Sequence, residues 1–291
     1  MFVKSMPMSQ FPVVCVCGAG TMGTGIAQTA AQSGLRTQLF DVDAAKLLKS
    51  REQIENALLR LQEKQKITAA QREATLSLLS YTANIETCTA GVVIEAIVED
   101  LQAKLQLFHR LASLNSPQTI FATNTSSLAI TALAQHIPHP ERVVGMHFFN
   151  PAPVMKLVEV IRTNQTAAGV VETVSALAVH MGKTPVVCKD APGFIVNRVA
   201  RPYYLEALRL AESGAVTIEQ ADRLLEASGF KMGPFRLMDL IGMDINYAVS
   251  RIVWDALGQP ARLRPSALQQ HKVEQGELGR KTGRGFYTYQ E

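Results

Sequence analysis

Val13-Val14-Cys15-Val16-Cys17-Gly18-Ala19-Gly20-Thr21-Met22-Gly23-Thr24-Gly25-Ile26-Ala27-Gln28 is the stretch whose reading decides the fold. Small and β-branched apolar residues lead straight into three glycines at G-x-G-x-x-G spacing, and a helical pattern follows at once. Gly18 permits a tight turn out of the strand, Gly20 lets the backbone approach a pyrophosphate, and Gly23 lets the helix pack close to the strand. Thr21 and Met22 fall within this fingerprint, and the N-terminus of the helix that follows attracts phosphate. Working outward, Thr37–Phe40 reads as a second strand ending in Asp41, eighteen residues after Gly23. A carboxylate there would bind ribose hydroxyls and repel a 2′-phosphate, which predicts a site for NAD in preference to NADP. The plainer alternative is a glycine-rich turn beside a solvated aspartate. It leaves the register of strand, turn, helix, strand and acid without a reason.

From Val13 to about Cys188, β-rich runs alternate with helical ones, the pattern of a parallel sheet flanked by helices. Strands are expected over 13–17, 37–40, 92–94, 119–122, 143–148, 157–161 and 186–188. Helical spacing covers 44–66 and 101–114. The first of these is longer than an ordinary crossover and predicts a helical hairpin or arm projecting from the sheet. Asp190-Ala191-Pro192-Gly193 then punctuates the chain. Beyond it, 195–213, 217–228 and 245–257 carry helical spacing and no strand. The expected organisation is an α/β, Rossmann-type dinucleotide-binding domain over 1–190 with a projecting helical arm, followed by an all-α C-terminal domain over 191–291.

Hydrophobic residues make up 47% of the chain and charged ones 19%, which excludes a disordered protein. No run approaches the ~20 apolar residues of a membrane span. Residues 1–12 lack the apolar core of a secretory signal and read as a short leader, with Met6 and Met8 as alternative starts. Cys15, Cys17, Cys88 and Cys188 form no C-x-x-C pair, and Cys15 and Cys17 face one side of a strand. Buried reduced thiols are expected, which fits a cytoplasmic or other reducing compartment, an organelle matrix included. A net charge of +4 is too mild for a nucleic-acid binder and suits a protein holding phosphorylated ligands.

Ligands of an open parallel sheet collect beyond the C-terminal ends of its strands. The predicted ends carry Gly18 to Gly23, Asp41, Glu95, Asn124-Thr125-Ser126-Ser127 and His147. His147 sits in Gly145-Met146-His147-Phe148-Phe149-Asn150-Pro151, an apolar setting for a titratable ring. Glu159 is odder. In Leu157-Val158-Glu159-Val160-Ile161, period two puts it on the face of Leu157 and Ile161, where a carboxylate is costly without a partner. A neighbouring imidazole is the natural one. It would have its tautomer fixed by the carboxylate and keep the other nitrogen for proton exchange with a substrate. Taken singly, His147 also reads as a packed core histidine and Glu159 as a solvated side chain on an edge strand.

The motifs Gly18–Gly23, Asn124-Thr125-Ser126-Ser127-Leu128, His147-Phe148-Phe149-Asn150-Pro151, Met155-Lys156-Leu157-Val158-Glu159-Val160 and Asp190-Ala191-Pro192-Gly193-Phe194-Ile195-Val196-Asn197-Arg198 together resemble the L-3-hydroxyacyl-CoA dehydrogenase family, which includes 3-hydroxybutyryl-CoA dehydrogenases. The resemblance runs on to the tail Gly279-Arg280-Lys281-Thr282-Gly283-Arg284-Gly285-Phe286-Tyr287. It implies an NAD-dependent oxidoreductase of fatty-acid or butanoate-type metabolism that interconverts (S)-3-hydroxyacyl-CoA and 3-oxoacyl-CoA. On this resemblance His147 is the base, Glu159 its orienting carboxylate, Ser126 the donor to the substrate oxygen and Asn197 a substrate-positioning residue. Asp41 binds the ribose, Asn124 belongs with the cofactor-binding residues, and Glu99, Lys104 and Asn150 line the nicotinamide half. CoA is implied along the helical arm, with Lys64 at a basic position and Ala57 where some relatives have a serine. A homodimer through the helical domain, which would also complete the substrate cleft, is implied as well.

Competing local roles exist. Ser126 or Ser127 could cap a following helix, as could Asn197. His136-x-x-His139 contains Pro138 and is followed by Pro140, so it reads as a loop rather than a metal pair. Gly182-Lys183-Thr184 has the end of a phosphate loop without its upstream glycine, and Arg280, Lys281 and Arg284 lack an aromatic platform for nucleic acid. The rival functions are a dehydrogenase of a free hydroxy acid or sugar acid, and a non-catalytic NAD-binding protein. The first would in some cases carry a lysine in place of His147. The second would be expected to have lost Ser126, His147, Glu159 or Asn197, all of which are present.

Overall fold

The computed structural model describes residues 13–289, so the leader read over 1–12 lies outside the described residues. The chain divides into two compact units that meet between Asp190 and Ala191. Among the described residues no helix is long and apolar enough to cross a membrane.

The first unit runs β1 (Val14–Cys17), α1 (Thr21–Gln32), β2 (Thr37–Phe40), α2 (Ala44–Glu63), α3 (Ala69–Ser77), β3 (Leu79–Thr82), β4 (Val92–Glu95), α4 (Leu101–Leu114), β5 (Ile120–Thr123), α5 (Ile130–Ala134), β6 (Val143–Phe148), β7 (Leu157–Arg162), α6 (Ala168–His180) and β8 (Thr184–Lys189). These strands form one sheet in the order β3-β2-β1-β4-β5-β6-β7-β8. Strands β1, β4, β5 and β6 are buried along their whole length. Burial on both faces is why they read as continuous apolar runs rather than as alternation. Strand β3, Leu-Ser-Tyr-Thr, was not expected from sequence. It is a half-exposed edge strand without a continuous apolar signal.

The sheet is not wholly parallel. β6 and β7 pair antiparallel, while every other neighbouring pair is parallel. The connection between them, 149–156, is only eight residues. A parallel return needs a crossover of about a dozen residues or more, so β7 has to come back antiparallel.

Over 44–66, where the arm is expected, the chain forms one helix, α2; its hairpin partner α3 lies beyond that range. Asp43 caps α2 by accepting from the Ala45 N–H, and Thr68 and Gln71 form a capping box that starts α3. Leu47, Ser50, Ile54 and Leu58 are the buried positions of α2, three and four apart, and the Ser50 and Thr24 hydroxyls meet at 2.7 Å. The arm is therefore anchored on α1.

The second unit is α7 (Val196–Glu212), α8 (Ile218–Ala227), α9 (Pro234–Ile241), α10 (Met243–Ala256) and α11 (Ala267–Glu274). Helices α9 and α11 were not expected; each is only eight residues long. Tyr204, Leu208, Phe235, Met238, Met243 and Val253 form the core. Two buried aspartates organise its polar contacts. Asp222 accepts from the Phe235 and Arg236 N–H groups and the Tyr287 hydroxyl, and Asp239 from the Phe286 and Tyr287 N–H groups and the Tyr289 hydroxyl. The glycine-rich tail thus wraps a carboxylate; a Cβ on Gly285 would lie 2.1 Å from Asp239 Oδ1.

Helix α1 meets the turn after β1 so closely that a Cβ on Gly23 would lie 1.7 Å from the Gly18 carbonyl oxygen. Gly23→Ala is expected to lower the unfolding free energy by roughly 1–3 kcal/mol or more. Gly20→Ala, at φ −75° with nothing within 4 Å of the added carbon, should stay within about 1 kcal/mol of the parent. Denaturant titration of both variants checks this, and equal midpoints would overturn it.

Candidate active site

Strand β1 pairs with β2 on one side and β4 on the other. The chain changes its direction of travel across the sheet there, and the strand ends beside such a switch point bound a ligand crevice. Gly18 turns out of β1 at φ +106°, and a Cβ on it would lie 2.5 Å from the Ala96 carbonyl oxygen. Asp41 is fixed by its neighbours: Oδ2 accepts from the Ala19 N–H at 2.8 Å and Oδ1 from the Asp43 N–H at 3.0 Å. One carboxylate therefore joins the second strand end to the glycine turn. Gly20 faces open space, and α1 begins there without a side-chain cap. Thr21 is exposed, Met22 half-buried and Gly23 buried. A bare helix N-terminus, an uncrowded glycine and a fixed carboxylate fit a dinucleotide whose pyrophosphate lies at Gly20 to Met22 and whose ribose reaches Asp41.

Next along the crevice, the ends of β4 and β5 carry an ionic network. Glu95, wholly buried, accepts from Lys104 Nζ at 2.6 Å, the Ile97 N–H at 2.7 Å and the Thr123 hydroxyl at 2.6 Å. Lys104, itself buried, also reaches Glu99 at 3.1 Å. Glu99 accepts from the Thr125 hydroxyl, the Ser127 hydroxyl at 2.7 Å, and the N–H groups of Ser126 and Ser127, both at 3.2 Å. Burial alone would raise the Glu99 carboxyl, but the Lys104 charge and these hydrogen bonds outweigh it and hold the group below the ordinary carboxylate range. Neither serine caps a helix: α5 begins after Ala129 with no side-chain cap, and Asp190 accepts from Thr131 in its first turn at 2.8 Å. Asn124 Oδ1 accepts from the Phe148 N–H at 2.8 Å and so ties the end of β5 to that of β6.

His147 and Glu159 are direct partners across the antiparallel pair. His147 Nδ1 lies 2.7 Å from Glu159 Oε2, both residues are buried, and the Phe149 ring packs 4.6 Å from the imidazole. Glu159 is not on an edge, because β8 covers β7. The next loop is pinned from beneath. Buried Lys183 donates to the carbonyls of Ala152 and Met155, and Ala152 and Pro153 pack against Gly25 of α1. Burial pushes the Lys183 ammonium below its usual range. Its role is a clamp on this loop, and no sequence signal marked it beyond a phosphate-loop resemblance already set aside. Asn150 is exposed at the start of the loop, in a cis bond to Pro151.

Two further expected residues are described each within its own unit. Lys64 is exposed at the C-cap of α2. Asn197 is half-buried in the first turn of α7 in the second unit; it is not the helix cap, and its carbonyl accepts from Arg201 Nε at 3.0 Å. His136 and His139 lie beside Gln135 and Glu141.

Residues 13–191 match the NAD binding domain of 3-hydroxyacyl-CoA dehydrogenase, and residues 193–289 match its C-terminal domain. A 3-hydroxyadipyl-CoA dehydrogenase of Escherichia coli is 47% identical over 97% of this chain, which spans 60% of that protein. A probable 3-hydroxybutyryl-CoA dehydrogenase of Bacillus subtilis is 41% identical, covering 96% of this chain and 97% of its own length. The crystal structure of an (S)-3-hydroxybutyryl-CoA dehydrogenase from Ralstonia eutropha superposes with a TM-score of 0.92 at 36% identity, covering 96% of this chain and 99% of its own.

Hydrogen bonds to a charged group contribute roughly 1.5–3 kcal/mol, and about 1.4 kcal/mol is a tenfold change in affinity. Asp41→Ala should therefore raise the Kd for NADH by about one to two orders of magnitude and narrow the preference over NADPH. Titration of both nucleotides by fluorescence checks it; an unaltered NADH Kd would remove Asp41 from the site.

Proposed function

The chain belongs to the 3-hydroxyacyl-CoA dehydrogenase family, and we propose that it interconverts (S)-3-hydroxyacyl-CoA and 3-oxoacyl-CoA with NAD(H), using His147 as its acid–base group. The observation that carries this reading is the buried pairing of His147 Nδ1 with Glu159 Oε2 at 2.7 Å.

When bound, NAD⁺ supplies the acceptor for the hydride leaving C3 of the substrate. Glu159 accepts the Nδ1 proton of His147, which makes Nε2 the basic nitrogen and holds the ring in one orientation. In the oxidation direction Nε2 takes the proton of the C3 hydroxyl. In reduction the imidazolium returns that proton to the forming alkoxide. Ser126, held beside Glu99, donates to the substrate oxygen, and Asn197 is kept as a second substrate-positioning residue on the strength of its motif. Burial of the His147–Glu159 pair supports this reading, since a dry site strengthens each charge interaction and excludes competing water.

We read the protein as a homodimer in a reducing compartment such as the cytoplasm. Four free thiols support the compartment. Exposed Val199, Leu240 and Ile245 on the second unit support a partner surface there. The CoA moiety is assigned to the α2–α3 arm, whose exposed Lys64 has no side-chain partner among the described residues.

If Lys64 meets a CoA phosphate, Lys64→Ala should raise KM for the thioester and leave kcat nearly unchanged, as loss of uniform binding does. Unchanged KM at low salt would sink that contact. For the acid–base pair, His147→Gln should cost about 10²–10⁴-fold in kcat while NADH still binds. Glu159→Gln should also slow the reaction. Because the two act as one unit, the double variant should be little slower than His147→Gln alone. Steady-state kinetics with acetoacetyl-CoA and NADH decides the matter, and fully multiplicative losses would break the dyad.

A further inference from the structure

Glu95 takes no part in the chemistry assigned above, yet it is wholly buried and its contacts lead toward Ser126. It closes β4, with Oε1 accepting from Lys104 Nζ and the Ile97 N–H and Oε2 accepting from the Thr123 hydroxyl at the end of β5. Lys104 is 1% exposed and carries the chain of pairs onward to Glu99. Glu99 in turn gathers the Thr125 hydroxyl, the Ser127 hydroxyl and the N–H groups of Ser126 and Ser127 on a single oxygen. The segment 124–129 has no helix or strand of its own, so these bonds hold its backbone.

Two carboxylates flank one buried ammonium: Glu95 is wholly buried with it, while the Glu99 side chain is 38% exposed. Removing the Glu95 charge would leave the Lys104 ammonium buried with one ionic partner, at 3.1 Å. A buried charge with too few partners is strongly unfavourable, so Lys104 would withdraw or rearrange and release Glu99. Ser126 would then lose the fixed backbone that aims its hydroxyl. A displacement of about 1 Å at a reacting centre can cost roughly a hundredfold in rate.

We propose that Glu95 is a positioning residue for Ser126, acting through Lys104 and Glu99. The proposal rests on the reading that Ser126 donates to the substrate oxygen. It also gives Lys104 a different task from the one its motif implies: the ammonium is enclosed between carboxylates, and it serves the site by orienting Glu99.

The test is a double-mutant cycle of Glu95→Gln with Ser126→Ala, read as kcat/KM for acetoacetyl-CoA and NADH on the full chain. Glu95→Gln should cost roughly 10–100-fold in the parent and less than about threefold once Ser126 is alanine. A merely stabilising Glu95 would cost the same factor in both backgrounds, and that result would overturn the proposal. A silent Ser126→Ala would overturn the serine's role first, and the proposal with it, before Glu95 is touched. Should Glu95→Gln fold poorly, Glu95→Gln with Lys104→Met removes both members of the buried pair and keeps the local net charge. That variant should regain thermal stability and stay slow; recovery of the parental rate would also overturn the proposal.

Discussion

Burial of charge along the C-terminal rim of the sheet is the constraint on which the rest depends. Glu95 and Glu159 end up in places where an unpaired carboxylate would cost several kcal/mol. Each is therefore met by a partner of fixed geometry, Lys104 for one and His147 for the other. Pairing fixes the partner in its turn: Lys104 holds Glu99 at 3.1 Å, and Glu159 holds the Nδ1 edge of the His147 ring at 2.7 Å. The second unit obeys the same rule. Asp222 and Asp239 are satisfied by backbone N–H groups and tyrosine hydroxyls, and the glycines around them leave room for the carboxylates.

Strand polarity turns that constraint into a site. Had β7 run parallel to β6, Glu159 would stand in another register. The short connection forces the antiparallel return, and the register then sets His147 directly opposite Glu159. The connection is itself held by Lys183 below and by Gly25 of α1 at its side. The helix that follows the glycine turn therefore also supports the loop that follows His147. The glycine turn and the His147–Glu159 pair share one packed element.

Family membership and geometry constrain different things. Membership in the 3-hydroxyacyl-CoA dehydrogenases identifies the chemistry as hydride transfer with NAD. Geometry apportions the labour within this chain. Asp41 braces the glycine turn, Asn124 spends its side-chain oxygen on the Phe148 N–H, and Lys104 is absorbed by two carboxylates. Residues that a motif groups together thus divide into those open to a ligand and those that hold them.

Much was legible in the amino-acid sequence, because some constraints are local. The glycine fingerprint reports a turn and a close helix approach, both of which act over a few residues. The division near Asp190 is marked by a proline and a glycine, and the oddity of Glu159 is visible as a charge out of place in an apolar period. Other features were decided only by tertiary structure. The edge strand β3 and the short helices α9 and α11 carry too few residues for a periodic signal and form by packing on neighbours. Ser126 and Ser127 looked like helix caps because capping is a local preference, whereas Glu99, 27 and 28 residues away, claims their N–H groups. Lys183 resembled a fragment of a phosphate loop until folding brought the carbonyls of Ala152 and Met155 within its reach. Glu95 could be placed at a strand end from sequence, but its partners come from β5 and α4. A buried charge is recognised by what surrounds it, and only the folded chain brings those surroundings together.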